Sequence, residues 1–132
     1  MSGAAKERVE GARRRRFERL VAGALEGLPP EVTAMLDNVE VVVEDEPQPH
    51  HLDAGEAPDG ELFGLYEGIP LAERDSAYGL VLPDKITIFR GPLERAYRSP
   101  SAIAREVRVT VAHELGHHLG FDEDRLAELG LG

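Results

Sequence analysis

Ser101-Ala102-Ile103-Ala104-Arg105-Glu106-Val107-Arg108-Val109-Thr110-Val111-Ala112-His113-Glu114-Leu115-Gly116-His117-His118-Leu119 is the stretch on which the fold turns, and Gly120 follows it. Ile103, Val107, Val111, Leu115 and Leu119 recur at the spacing of one helical face, which predicts a helix over 101–119, roughly 28 Å long at 1.5 Å per residue. Ser101, just after Pro100, is the expected N-cap. Val109, His113 and His117 form a second stripe on nearly the opposite side. A helix apolar on one side and bearing histidines on the other is expected to lie between a core and a cleft.

The two histidines four residues apart lie about 40° apart around such a helix, so both imidazoles can reach one tetrahedral zinc ion. Glu114 stands at the flank of the same face, where it can reach a metal-bound water without being a ligand. Gly120 can take the left-handed conformation that ends a helix, and the chain then turns back as Asp122-Glu123-Asp124, a source of a third ligand. The competing reading is a solvated helix end, because histidines near a C-terminus are favoured by the macrodipole. The glycine three residues after the second histidine, and the acids directly behind it, favour the metal site. His118 falls on the side of Val111 and Leu115 and is expected to be a partly buried, hydrogen-bonded structural residue.

Outside this helix the pattern is α+β. Phe17, Leu20, Val21, Ala24, Leu25 and Leu28 predict a first helix stopped by Pro29-Pro30, and Pro30 can open a short second one ending near Leu36. Val39–Val43 reads as a strand, and Pro47–Gly60, rich in proline and acid, as a mobile loop carrying two exposed histidines, His50 and His51. Leu62–Tyr66 fits a short helix or strand. Gly79–Leu82 and Ile86–Phe89 fit strands with a turn at Pro83-Asp84, and Pro92–Tyr97 a helical turn. Lys85–Phe89 is the expected edge strand beside the cleft. Leu126 and Leu129 suggest a last short helix closing over the metal end. Tyr78 and Tyr97 could polarise a substrate carbonyl, although packing is the expected role of each.

From about Arg16 onward the chain resembles the short bacterial zincin-like metallopeptidases. The matching stretches are Phe17-Glu18-Arg19-Leu20, the run Val39 to Pro47, Leu62 to Gly68, Leu82 to Pro92, and the motif His113-Glu114-Leu115-Gly116-His117, in that order. The resemblance implies a minimal zincin domain over 16–132, with a small mixed sheet packed on the helix that carries the motif. It also implies His113 and His117 as metal ligands, Glu114 as general base and Glu123 as third ligand. Glu123 stands where the related pattern has aspartate, and Asp122 and Asp124 flank it, so three carboxylates compete for that place. No methionine follows the motif, since Met1 and Met35 are the only two, and the Met-turn of larger relatives is absent.

Composition narrows the rest. A chain of 132 residues with 42% hydrophobic and 30% charged residues fits one globular domain. Without cysteine, thiolate metal sites, disulfides and cysteine nucleophiles are excluded, so histidine and carboxylate must supply every ligand. No apolar leader opens the chain and no run nears the roughly 20 residues that span a bilayer, so a cytoplasmic location away from membranes is expected. The net charge is −10, yet Lys6, Arg8, Arg13–Arg16 and Arg19 crowd the start, while 13 acids and no Lys or Arg fill Leu20–Glu73. Residues 1–15 are therefore expected to form a flexible basic extension. If it docked on the acidic face of a second copy, it would build a homodimer. Nucleic acid is not an expected partner, because the acidic remainder repels phosphate.

These features point to hydrolysis of peptide bonds in a peptide or protein substrate, with zinc on His113, His117 and a carboxylate, which the resemblance implies is Glu123, and with Glu114 taking the proton of the attacking water. The alternative is a catalytically silent zincin-fold module that binds metal or protein.

Overall fold

The β-branched run of Val39, Val41, Val42 and Val43 forms strand β1, Val39–Glu44. In the computed structural model, which describes residues 3–55, 61–68, 83–120 and 122–131, β1 pairs in parallel with β3, Asp84–Phe89. On the other side of β3, β2 (Gly64–Glu67) runs antiparallel, giving a mixed sheet of order β1-β3-β2. Val41 lies opposite Ile86, and Leu65 opposite Thr87. β3 is thus the central strand rather than the edge expected from sequence. Its residues Ile86, Thr87, Ile88 and Phe89 are fully buried, as an inner strand covered on both faces requires. The edge beside the motif helix belongs to β2, among the described residues.

Helices α1 (Gly3–Glu26), α2 (Pro30–Thr33), α3 (Pro49–Ala54), α4 (Arg90–Ala96), α5 (Pro100–Leu119) and α6 (Glu123–Glu128) complete the described elements, with a 3-10 turn at Ala34–Asn38. α5 packs against α1 and one face of the sheet. Between them lies the core: Phe17, Val21 and Ala24 from α1, Ile86 and Ile88 from β3, and Ile103, Val107, Val111 and Leu115 from α5. The predicted stripe is therefore the buried one, except that Leu119 is 45% exposed where the helix runs out beyond the core. Leu126 of α6 is buried against the same cluster, so the expected last helix is present. The opposite sheet face carries a separate small cluster of Leu62, Leu65 and Phe89.

Gly3–Arg15, expected as a flexible extension, form the first turns of α1. Alanine and arginine are strong helix formers, and Glu10–Arg13 and Arg14–Glu18 pair at helical spacing. Tertiary contacts hold this segment too. Arg14 Nη2 donates to the Val43 carbonyl at 2.6 Å on the outer edge of β1. Glu10 accepts from the largely buried Arg90, whose guanidinium also donates to Asp45 at 3.0 Å. The arginine block is therefore partly a clamp between α1 and the sheet.

Pro47–Gly60 is likewise more ordered than a loop in the part described. Pro49 sits at the first position of α3, where a missing N–H is no loss. The strand expected at Gly79–Leu82 and the turn before Asp84 involve positions outside the described residues.

Candidate metal centre

α5 begins at Pro100, one residue earlier than expected. Ser99, not Ser101, is its N-cap, its Oγ accepting from the Ala102 amide at 3.1 Å, because Pro100 takes the first helical position. The helix ends at Gly120, whose φ of 78° is left-handed and whose N–H reaches the Gly116 carbonyl at 3.0 Å. Asp122 then caps α6, its Oδ1 accepting from the Asp124 amide at 2.8 Å. Asp122 is engaged through Oδ1, and Glu123 Oε1 lies 3.6 Å from His117 Nε2.

The histidines line a cleft of about 660 Å³ between β2 and α5, with Val109, Thr110 and Glu114 beside them. The expected second stripe of α5 thus faces a cleft. Two ligand atoms on one tetrahedral zinc lie about 3.4 Å apart, close to the His117–Glu123 spacing. The His113 and His117 ring centroids are 6.5 Å apart at an interplanar angle of 74°. Two imidazoles sharing a zinc need roughly 5 Å, so one ring must turn inward. The His117 side chain is 55% exposed and has room to do so. The donor set of two neutral imidazoles and a carboxylate then suits zinc.

Glu114 is held differently. Its Oε1 accepts from the Tyr66 amide at 3.2 Å, and its Oε2 faces His117 Nδ1 at 4.0 Å. Alternation along β2 explains the first contact. Phe63 turns its carbonyl toward β3, where it accepts from Phe89 N at 2.9 Å, so the Tyr66 N–H points outward to α5. The Tyr66 hydroxyl donates to Asp84 Oδ2. Its ring stacks on His118 at 4.5 Å and 10°. His118 is thus exposed and π-stacked rather than partly buried as expected, because the helix has already left the core. Sequence reasoning missed the Tyr66 amide, since a backbone donor leaves no mark on composition.

β2 comes this close to α5 because residue 64 is glycine. A Cβ there would sit 2.7 Å from Thr110 Cγ2 and 3.1 Å from the Thr87 carbonyl. Gly64→Ala is expected to push β2 off the helix, lowering stability by about 1–3 kcal/mol and loosening the Tyr66–Glu114 contact. Thermal denaturation of the variant, with Thr110→Ser added to relieve the methyl clash, checks this.

Tyr97 donates to Glu106 Oε2 at 3.1 Å, and burial with that hydrogen bond raises its pKa above the usual 10.0. It packs on Phe63, as expected of a structural tyrosine. Tyr78 lies outside the described residues. His51 is not exposed but 2% accessible, and the His50 ring lies tilted beside it, centroids 3.9 Å apart at an interplanar angle of 44°. The proline at the start of α3 was the overlooked signal that these histidines sit on a helix.

A helix bearing paired histidines and a glutamate, facing a cleft beneath the edge of a small mixed sheet, is the arrangement of a zincin-type hydrolase domain. The chain belongs to the zincin-like metallopeptidase family, whose model matches residues 36–132, from the 3-10 turn through α6. No curated protein matches it individually. Among the described residues, no helix is long and apolar enough to cross a membrane.

Proposed function

We propose that the protein is a zinc-dependent peptidase that hydrolyses peptide bonds in the cleft between β2 and α5. The observation carrying this reading is Glu114, anchored through one oxygen by the Tyr66 amide while the other faces the His117 ring. His113, His117 and Glu123 would hold the metal. When bound, zinc supplies Lewis acidity, polarising the scissile carbonyl and making water a better acid. Glu114 Oε2 takes a proton from the attacking water and returns it to the departing amine, while the Tyr66 N–H keeps the carboxylate from swinging away.

An extended substrate lies along the outward edge of β2, whose preceding residues Glu61, Leu62 and Phe63 line the cleft. This replaces the Lys85–Phe89 edge suggested by sequence, which is enclosed between β1 and β2. Glu61, paired with Arg95 at 3.4 Å, and Glu106, which accepts from Tyr97, form the polar part of the cleft wall.

Elemental analysis of the purified chain, followed by fluorogenic peptides with and without added zinc, tests the reading. The expected result is cleavage that depends on zinc and vanishes in His113→Ala and His117→Ala. Retained metal without cleavage across a broad peptide set would instead favour a silent metal-binding module.

A further inference from the structure

We infer a second transition-metal site, built by His50, His51 and Glu67 on the sheet face turned away from α5. Side chains alternate along β2, so Leu65 and Glu67 project opposite to Gly64, whose missing Cβ faces Thr110 of α5. Leu65 packs with Phe89, and the His51 ring lies 5.0 Å from the Phe89 ring. Nitrogen atoms of His50 and His51 and a carboxylate oxygen of Glu67 all fall within 4.8 Å of one another. Glu44, on the same face of β1, brings Oε2 to 3.6 Å from His51 Nε2, and Glu67 Oε1 lies 3.5 Å from the same nitrogen.

Among the described residues, two buried oxygens on this face find no hydrogen-bond partner: Glu67 Oε1 and Thr87 Oγ1. Buried polar atoms are seldom left so, and a carboxylate oxygen unsatisfied beside two imidazoles marks a place for a cation. Two histidines and a carboxylate are the donors that zinc, cobalt and nickel prefer.

The site opposes loading in two ways. His51 Nδ1 accepts from the Gln48 amide at 2.9 Å, so the ring proton sits on Nε2. Ligation through Nε2 moves that proton to Nδ1, which breaks the Gln48 bond and turns its N–H to solvent. Lys85 Nζ also stands 4.0 Å from Glu67 Oε1, and its exposed side chain must swing away. Loading therefore has a signature that the α5 site lacks.

The test uses the full chain carrying His113→Ala and His117→Ala, so the α5 histidines cannot contribute. Cobalt titration, followed by visible absorption, should show one ion bound with nitrogen ligands. Adding His50→Ala or Glu67→Gln should weaken it by at least about 100-fold, while Lys85→Ala should tighten it. Both weakening variants alter accessible side chains, and the buried His51 is left in place to keep the fold. The Gln48 amide should lose its protection from hydrogen exchange on loading. Absence of binding, unchanged affinity in His50→Ala and Glu67→Gln, or a Gln48 amide equally protected with metal bound would each overturn the site.

Discussion

Glu114→Gln is expected to lower kcat by roughly 10²- to 10⁴-fold while leaving metal content and melting temperature near those of the parent. The glutamine Oε1 can still accept the Tyr66 amide that holds Glu114 Oε1 at 3.2 Å, so the side chain should stay in place. What disappears is the ability to take a proton. The Glu114 side chain is 16% exposed on the flank of the histidine face, and the proposed site does not use it as a ligand. Its loss should therefore leave His113, His117 and Glu123 free to bind. Peptide cleavage at the parental rate by this variant would show that Glu114 is not the base. Loss of metal together with activity would show that it acts as a ligand. His117→Ala separates the two roles from the other side, since it should lose activity together with the ion of the α5 site, while any ion held by His50, His51 and Glu67 stays.

Much of this arrangement was legible because it is local. Ile103, Val107, Val111 and Leu115 mark one face of α5 by spacing alone, and the structure buries all four. The glycine after Leu119 adopts the left-handed cap that its position suggested. Strand order was not legible. Lys85–Phe89 carries the charge at one end and the β-branched residues that an edge strand also shows, and only pairing across long sequence separations makes it central. The basic start of α1 misled for a related reason. Its arginines look solvated in isolation, but Arg14 reaches Val43 and Glu10 meets Arg90, partners 29 and 80 residues away. His50 and His51 show the same limit, because Glu67 arrives beside them only when β2 joins the sheet. Asp122 shows the same limit, because its place as the cap of α6 appears only in the structure.

Leu115→Ala should cost about 2–5 kcal/mol, the range for deleting a fully buried leucine, and lower the melting temperature by roughly 10 °C or more. Leu115 lies in the same helical turn as His113, Glu114 and His117 but points the other way, into the cluster with Val111, Ile88 and Leu126. Larger relatives place a methionine turn beneath the metal, and here no methionine follows the motif. Packing of Ala112 and Leu115 against the core is what fixes the orientation of this turn. Leu119→Ala, one turn further along the same stripe, should change stability by less than about 0.5 kcal/mol, because that side chain is already 45% exposed. Paired denaturation curves for the two variants measure where the core ends along α5. Equal losses would mean that the helix is buried through its C-terminus, and then His118 and Gly120 would not lie at its open end. Well below its melting temperature the Leu115→Ala protein should still bind metal, since the truncation removes support and no ligand.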